Sequence, residues 1–273
     1  MMKEVPDFLN LNLARKIING MIKFSQDNNM LPGSYAVVDK GGHLIAFERR
    51  DNALPLTCDL AIDKAWTAAT MLSARQLEVI TSGQIWRLNV KYKGRLTIIP
   101  GTVPLISHNR VIGGIGHSGE SPENDERISQ AGLSSFYIED DIKINVEPIL
   151  SQSREIANEL MEYVISNKLN PVAITITDEY GWPYLIYRMD GTPSGFLEIS
   201  RDRAWTAAVF SKPSDEVEEN ISYTIGINWN ERLNVSPGGI PFKLKGFSGA
   251  IGVAGNKPDV DKLIAINIIK KYQ

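Results

Sequence analysis

Cys58 is the only cysteine in the 273-residue sequence, so an intramolecular disulfide framework is excluded and a reducing compartment is expected. Histidine is almost as scarce. There are three, His43, His108 and His117, and no two stand at metal-ligand spacing. No segment approaches the ~20 consecutive apolar residues that span a bilayer. The opening Met1-Met2-Lys3-Glu4-Val5-Pro6 lacks the apolar stretch of a secretory signal. Charge of one sign is missing too: 29 basic residues against 32 acidic ones leave a net charge of -3, with the basic residues dispersed. That balance gives no electrostatic footprint for nucleic acid or an anionic membrane. No Gly-x-Ser-x-Gly, Walker or dinucleotide fingerprint sits between a strand and a helix, which argues against hydrolase, nucleotide-hydrolysing and NAD-dependent chemistry. What is present is 43% hydrophobic content, enough for two ordinary cores. The expectation is a cytoplasmic globular protein, with no nucleic-acid and no membrane partner.

The chain repeats itself. The stretch from Val38-Asp39-Lys40-Gly41-Gly42-His43 to Asp63-Lys64-Ala65-Trp66-Thr67-Ala68-Ala69 returns without a gap 139 residues later. It reappears as Thr177-Asp178-Glu179-Tyr180-Gly181-Trp182 through Asp202-Arg203-Ala204-Trp205-Thr206-Ala207-Ala208. Pro100-Gly101-Thr102-Val103-Pro104 echoes in Pro237-Gly238-Gly239-Ile240-Pro241, and Gly113-Gly114-Ile115-Gly116-His117-Ser118-Gly119 in Gly249-Ala250-Ile251-Gly252-Val253-Ala254-Gly255. Pro122/Pro258 and Asp125/Asp261 follow in step. A period this long is the size of a small domain rather than of a solenoid unit. Two lobes are expected, residues 1–140 and 149–273, with the linker between Glu139 and Pro148. The offset shortens on the way, and an insertion is placed after a repeated Arg-Leu-Asn-Val, so that Lys91 to Ile99 has only Ser236 opposite it.

Each lobe opens with helical periodicity, in Leu11, Ala14, Ile17, Ile18, Met21 and Ile22 and again in Ile156, Leu160, Met161, Val164 and Ile165. Hairpins follow: Tyr35 to Val38 with Leu44 to Glu48, and Val172 to Thr177 with Pro183 to Tyr187, each turned by a glycine. Ala-rich central helices are expected to begin at Asp63 and Asp202, where an acid meets the helix dipole. Second hairpins pair Val103 to Ile106 with Val111 to Ile115, and Pro241 to Leu244 with Ser248 to Val253 across Lys245-Gly246-Phe247. Ser121-Pro122-Glu123 and Lys257-Pro258-Asp259 carry helix-start chemistry. The order helix, hairpin, helix, hairpin, helix implies an α+β fold, an antiparallel sheet covered by helices, in a tandem with pseudo-two-fold character.

The run Asp39 to Asp51, the later Asp63 to Ala69, then Pro100-Gly101-Thr102-Val103-Pro104-Leu105 and Gly113 to Gly119 with Pro122 and Asp125 resemble the GlcG/HbpS family of haem-binding-like proteins. That family shares its fold with the C-terminal domain of PduO-type proteins. The resemblance covers nearly all of lobe one and, more weakly, lobe two. It implies a profilin-like sandwich in each lobe, a tendency to form homo-oligomers, and binding of haem or a related tetrapyrrole. Lobe one departs from the family pattern at Thr102 and at Arg49-Arg50-Asp51-Asn52, whereas lobe two keeps Arg188-Met189-Asp190-Gly191 and Pro237-Gly238-Gly239. Lobe two has no histidine, so a haem iron could meet imidazole only in lobe one, at His117 or His43.

The residues themselves offer several candidates. His117 replaces the apolar Val253 of the other lobe beside glycines that let backbone approach a ligand; His43 lies next to a turn, and His108 in one. Asp51 and Asp190 follow strand-ending arginines, Arg49 and Arg188, and are either bases near a pocket or turn and ion-pair residues. Lys64 and Arg203 could reach a ligand carboxylate, or serve structure alone. The amides of Gly101, Thr102, Gly238 and Gly239 form either an anion nest or a plain turn. Cys58 reads as core. Two functions stay open from sequence, beside a third reading as a purely structural oligomer subunit. One is small-molecule binding, with haem as the family ligand. The other is a cofactor-free isomerase, dehydratase or cyclase using His117, His43, Asp51 and Asp190 as acids and bases on a small or natural-product substrate.

Overall fold

The structure, a computed structural model, describes residues 8–71, 90, 92–108, 110–137, 144–217 and 232–273. The chain divides into two compact units, Met1–Val146 and Glu147–Gln273. Unit one contains α1 (Leu11–Asp27), β1 (Ser34–Asp39), β2 (Leu44–Arg49), α2 (Leu56–Met71), β3 (Thr102–Ser107), β4 (Arg110–Ser118) and α3 (Pro122–Phe136). Unit two repeats the order with α4 (Pro148–Ser166), β5 (Ala173–Asp178), β6 (Pro183–Arg188), α5 (Gly195–Phe210), β7 (Gly239–Leu244), β8 (Phe247–Ala254) and α6 (Pro258–Ile269). A single 3-10 turn, Ser214–Glu216, follows α5. Both units are α+β. Among the described residues no helix is long and apolar enough to cross a membrane.

In unit one the strands run β3-β4-β1-β2, all antiparallel, and in unit two β7-β8-β5-β6. Helix α2 lies against one face of its sheet so closely that only glycine fits below it. A Cβ on Gly114 or Gly116 would collide with the backbone of Ala61, Ala65 or Ala69, and one on Gly252 with that of Ser200 and Ala204. Alternation along β4 then turns Ile115 and His117 to the opposite face. There α1 and α3 pack on each other through Gly20 against Ser135 and Gly132 against Met21. The buried Leu11, Ala14, Ile17, Ile18, Met21 and Ile22 are the apolar stripe read from the sequence.

The first hairpins turn on Gly42 and Gly181 at φ +79° and +83°, and each glycine has the Cδ1 of a central-helix tryptophan, Trp66 or Trp205, where its Cβ would be. Pro122 and Pro258 both start helices, the first with Ser121 Oγ accepting from the Asn124 amide at 3.3 Å.

Three local expectations are corrected. The central helices begin at Leu56 and Gly195, so Asp63 and Asp202 lie mid-helix, away from the dipole; Asp59 and Glu198 are the first-turn acids. The early start escapes sequence reading because Leu56, the first residue, is solvent-exposed and breaks the apolar period. The β7–β8 turn is shorter than expected, with Phe247 inside the ladder opposite Leu244 and packed edge-on against Phe242. The third correction concerns the insertion. The residues that act like Arg232, Leu233 and Asn234 are Arg95, Leu96 and Thr97. Arg95 pairs with Asp63 and lies over Trp66, as Arg232 pairs with Asp202 and lies over Trp205. The Thr97 amide donates to Thr67 Oγ1 at 3.2 Å, as the Asn234 amide donates to Thr206 Oγ1 at 2.9 Å. The extra residues of lobe one therefore precede Arg95; identity of letters at Arg87-Leu88-Asn89 matched the wrong copy. Residues 87–89 themselves, like the first half of the expected linker at 139–143, lie outside the described residues.

Because backbone rather than flexible side chain faces Gly116, Gly116→Ala is expected to lower stability by roughly 3 kcal/mol in urea unfolding. Gly246→Ala, at φ +80° with nothing near its Cβ, should cost about 1 kcal/mol. Equal losses would show that the helix–sheet contact is not that tight.

Candidate functional site

The same buried clamp closes both units. In unit one Lys64 of α2 donates from Nζ to the His117 carbonyl at 2.8 Å and to Asp125 Oδ2 at 2.6 Å. In unit two Arg203 Nη1 donates to the Val253 carbonyl at 2.6 Å and to Asp261 Oδ2 at 2.9 Å. Asp125 and Asp261 sit in the first turns of α3 and α6, where the helix dipole favours negative charge. Each also accepts a backbone amide, from Glu120 at 3.0 Å and from Asn256 at 3.0 Å. All four side chains are buried. Burial holds the Lys64 ammonium below the ordinary lysine range, opposed by the attraction of Asp125.

The clamp explains the Pro-Gly motifs. Gly101 has φ +102°, and a Cβ there would stand 2.9 Å from the His117 carbonyl, 2.9 Å from Asp125 Cβ and 3.0 Å from Lys64 Nζ. Gly238, at φ +131°, would crowd Arg203 Nη1 and the Val253 carbonyl at 2.7 Å each. Their amide neighbourhood already has internal partners: Gly101 N donates to Glu126 Oε2 at 2.8 Å, and Gly239 N to Ser214 Oγ at 2.9 Å. Thr102 Oγ1 donates to the Ile99 carbonyl. The carboxylates that Lys64 and Arg203 reach are thus the chain's own.

Unit one adds a group that unit two lacks. His117 is fully buried, and its Nδ1 lies 2.8 Å from Asp125 Oδ1. Burial pushes the imidazole below the usual histidine range, with Asp125 pulling the other way; Lys64, on the same carboxylate, blunts that pull. A carboxylate only accepts, so neutral His117 carries its proton on Nδ1 and leaves Nε2 as a bare lone pair. Among the described residues Nε2 has no hydrogen-bond partner. The ring of Tyr35 lies 4.8 Å away, tilted by 45°. Strand register places Glu48, Tyr35 and His117 in one row on the α1–α3 face, all fully buried; the same row in unit two is Tyr187, Ile174 and Val253.

The other candidates are dispersed. His43 is exposed in the β1–β2 turn, where Asp39 Oδ1 accepts the Gly41 and His43 amides, at the opposite end of β1 from Tyr35 and His117. His108 is exposed at φ +46°. Asp51 is buried in the turn after β2, next to buried Arg49, whereas Asp190 is exposed in unit two. Cys58 is core, 3.8 Å from Ser34 Oγ. The site therefore gathers His117, Lys64 and Gly101 and adds Asp125 and Tyr35, which sequence reading passed over as a site. Asp125 is visible in the sequence as the repeat partner of Asp261, but its contact with His117 forms only in the fold.

The model of a protein family described as haem degrading protein HbpS-like matches residues 9–134 and again 150–270. An uncharacterised 15.0 kDa protein of Citrobacter freundii, from the dhaT–dhaS intergenic region, is 28% identical over 131 residues, 47% of this chain and 92% of its own length. Protein GlcG of Escherichia coli K12 is 32% identical over 114 residues, 40% of this chain and 81% of its own. The crystal structure of Klebsiella pneumoniae protein ORFY is 27% identical, with a TM-score of 0.44, and matches 50% of this chain and 97% of that one. Each relative spans about one unit.

Asp125→Ala strands the buried Lys64 and should cost about 4 kcal/mol in urea unfolding; a loss under ~1 kcal/mol would mean the clamp is not buried as described. His117 has its own signature. Its pKa is lowered on folding, so the unfolded chain takes up the proton first as pH falls through about 6.5. The stability of the wild type relative to His117→Val should fall below that pH by about 1.4 kcal/mol per unit until the folded imidazole also titrates. A difference independent of pH between 7.5 and 5.5 would contradict the neutral assignment.

Proposed function

The chain belongs to the haem degrading protein HbpS-like family through both of its units, and we propose that it is a haem-binding protein whose ligand is taken by unit one. The observation that carries this reading is the His117 imidazole, buried, backed by Asp125 and left with an unpartnered Nε2. A buried nitrogen with nothing to bond is unfavourable, and the pairing of a carboxylate with Nδ1–H is the arrangement that orients an imidazole toward a metal.

The residues present fit a haem-type ligand. The iron of a bound haem supplies a Lewis-acid centre that accepts an imidazole lone pair. On the protein side, Asp125 fixes the His117 tautomer and ring plane, and Lys64 holds that carboxylate in place. Tyr35 packs on the imidazole and limits its rotation. Unit two carries Val253, Ile174 and Tyr187 in the corresponding row and offers no such nitrogen. The acid–base enzyme reading lacks this support, because His43 is exposed at the opposite end of β1 from His117, and Asp190 is exposed in unit two.

Titration of the purified chain with hemin is expected to give a Soret band shifted from free hemin, with affinity reduced at least tenfold in His117→Ala and unchanged in His43→Ala. No shifted band in the wild type, or loss at His43 rather than His117, would overturn the proposal.

A further inference from the structure

The imidazole of His117 does not stand alone as a difference between the units. Its neighbour Gly33 corresponds to Val172: Arg50 N donates to the Gly33 carbonyl as Met189 N donates to that of Val172. Likewise Gly119 abuts Gly33 where Gly255 abuts Val172. In unit two the volume is filled by two fully buried valines, Val172 and Val253. In unit one a Cβ on Gly33 would stand 2.5 Å from His117 Nε2. One position has shrunk where the other has gained a ring, an exchange that conserves packing. Gly33 does not have the positive φ that requires glycine; it is glycine for space.

The surface around Gly33 differs in the same direction. Leu31, Leu54 and Leu56 are 63%, 70% and 75% exposed. Leu31 precedes Gly33 by two residues. Leu54 is tied to Ser34 through Thr57, whose Oγ1 donates to the Leu54 carbonyl at 2.6 Å and lies 2.7 Å from Ser34 Oγ. At the equivalent positions unit two has Asn170, Pro193 and Gly195. Three exposed leucines thus stand within two residues of Gly33 or of the Leu54–Thr57–Ser34 hydrogen-bonded link beside it.

We infer that the Leu31–Gly33 segment with Leu54 and Leu56 is the mouth of a single ligand site per chain, where displacement at Gly33 admits a planar apolar ligand to His117 Nε2. The identity of that ligand rests on the haem reading; the location of the mouth does not. The leucines cover the apolar faces of the ligand, and the valine pair closes the equivalent place in unit two.

Two readouts separate the claims. Hemin titration should saturate at one equivalent per chain, weaken at least tenfold in Leu54→Glu/Leu56→Glu with an unchanged urea midpoint, and reach two equivalents in Val172→Gly/Val253→His. Diethyl pyrocarbonate, which acylates neutral imidazole, should modify His117 in the wild type and do so at least tenfold more slowly in Gly33→Ala, as read by peptide mass mapping. Two equivalents in the wild type, hemin binding indifferent to the leucines, or a His117 that is never acylated or equally acylated in Gly33→Ala would overturn the inference. If the wild type takes no hemin, the haem reading fails alone, and the acylation rates still decide whether Gly33 is the entrance.

Discussion

A buried cation bonded at once to a strand carbonyl and to a helix-start carboxylate is the constraint on which each unit depends. Lys64 with Asp125, and Arg203 with Asp261, join the central helix, the last strand and the last helix at one point. Two charges out of water are costly unless each is fully paired, and here every partner comes from a different element. The position of the cation therefore sets how closely the central helix approaches the sheet, and why glycine stands at 101, 116, 238 and 252. Replacement of Lys64 by Arg203 in the second copy keeps the function of the clamp while changing the donor. Arg203 has an additional bond, from Nε to Ser236 Oγ at 3.0 Å.

On that shared frame the two units have diverged in what they bury. Unit two has an apolar or aromatic row where unit one has Glu48, Tyr35 and His117. Burying ionisable groups without need lowers stability, so their presence in one copy alone points to use there. The exchange at Gly33 and Val172 makes the same point by volume. His117 borrows an existing carboxylate: Asp125 is required by the clamp in any case, and its second oxygen, which accepts the Glu120 amide at 3.0 Å, also lies 2.8 Å from His117 Nδ1. Two differences between the units, at 33/172 and 117/253, thus give unit one a buried unpartnered nitrogen on a shared ion-pair frame.

Much of this frame is legible in the sequence because it is local. The hairpin glycines, the amphipathic stripe of α1, the proline starts of α3 and α6 and the period itself are written in neighbouring residues. The His117/Val253 difference is legible too. Its meaning is not, since Gly33, Tyr35 and Asp125 meet His117 only after β1 pairs with β4 and α3 folds back. The same non-locality hid the true partner of Arg232. Arg95 pairs with Asp63 and Trp66 as Arg232 pairs with Asp202 and Trp205, a likeness that the letters do not show. Asp63 and Asp202 misled in the opposite way: a plausible dipole argument was applied to residues that lie in the middle of their helices. Asp202 is instead raised to about 6, chiefly by burial.

The central claim is that His117 is a neutral imidazole protonated on Nδ1, with Nε2 unengaged. Long-range proton–nitrogen correlation of the three imidazoles across pH reads this directly. The account predicts that one ring, assigned by His117→Val, stays neutral as the Nδ1–H tautomer while pH falls through 6.5. A His117 ring that is already an imidazolium at pH 6.5, or that carries its proton on Nε2, would contradict it.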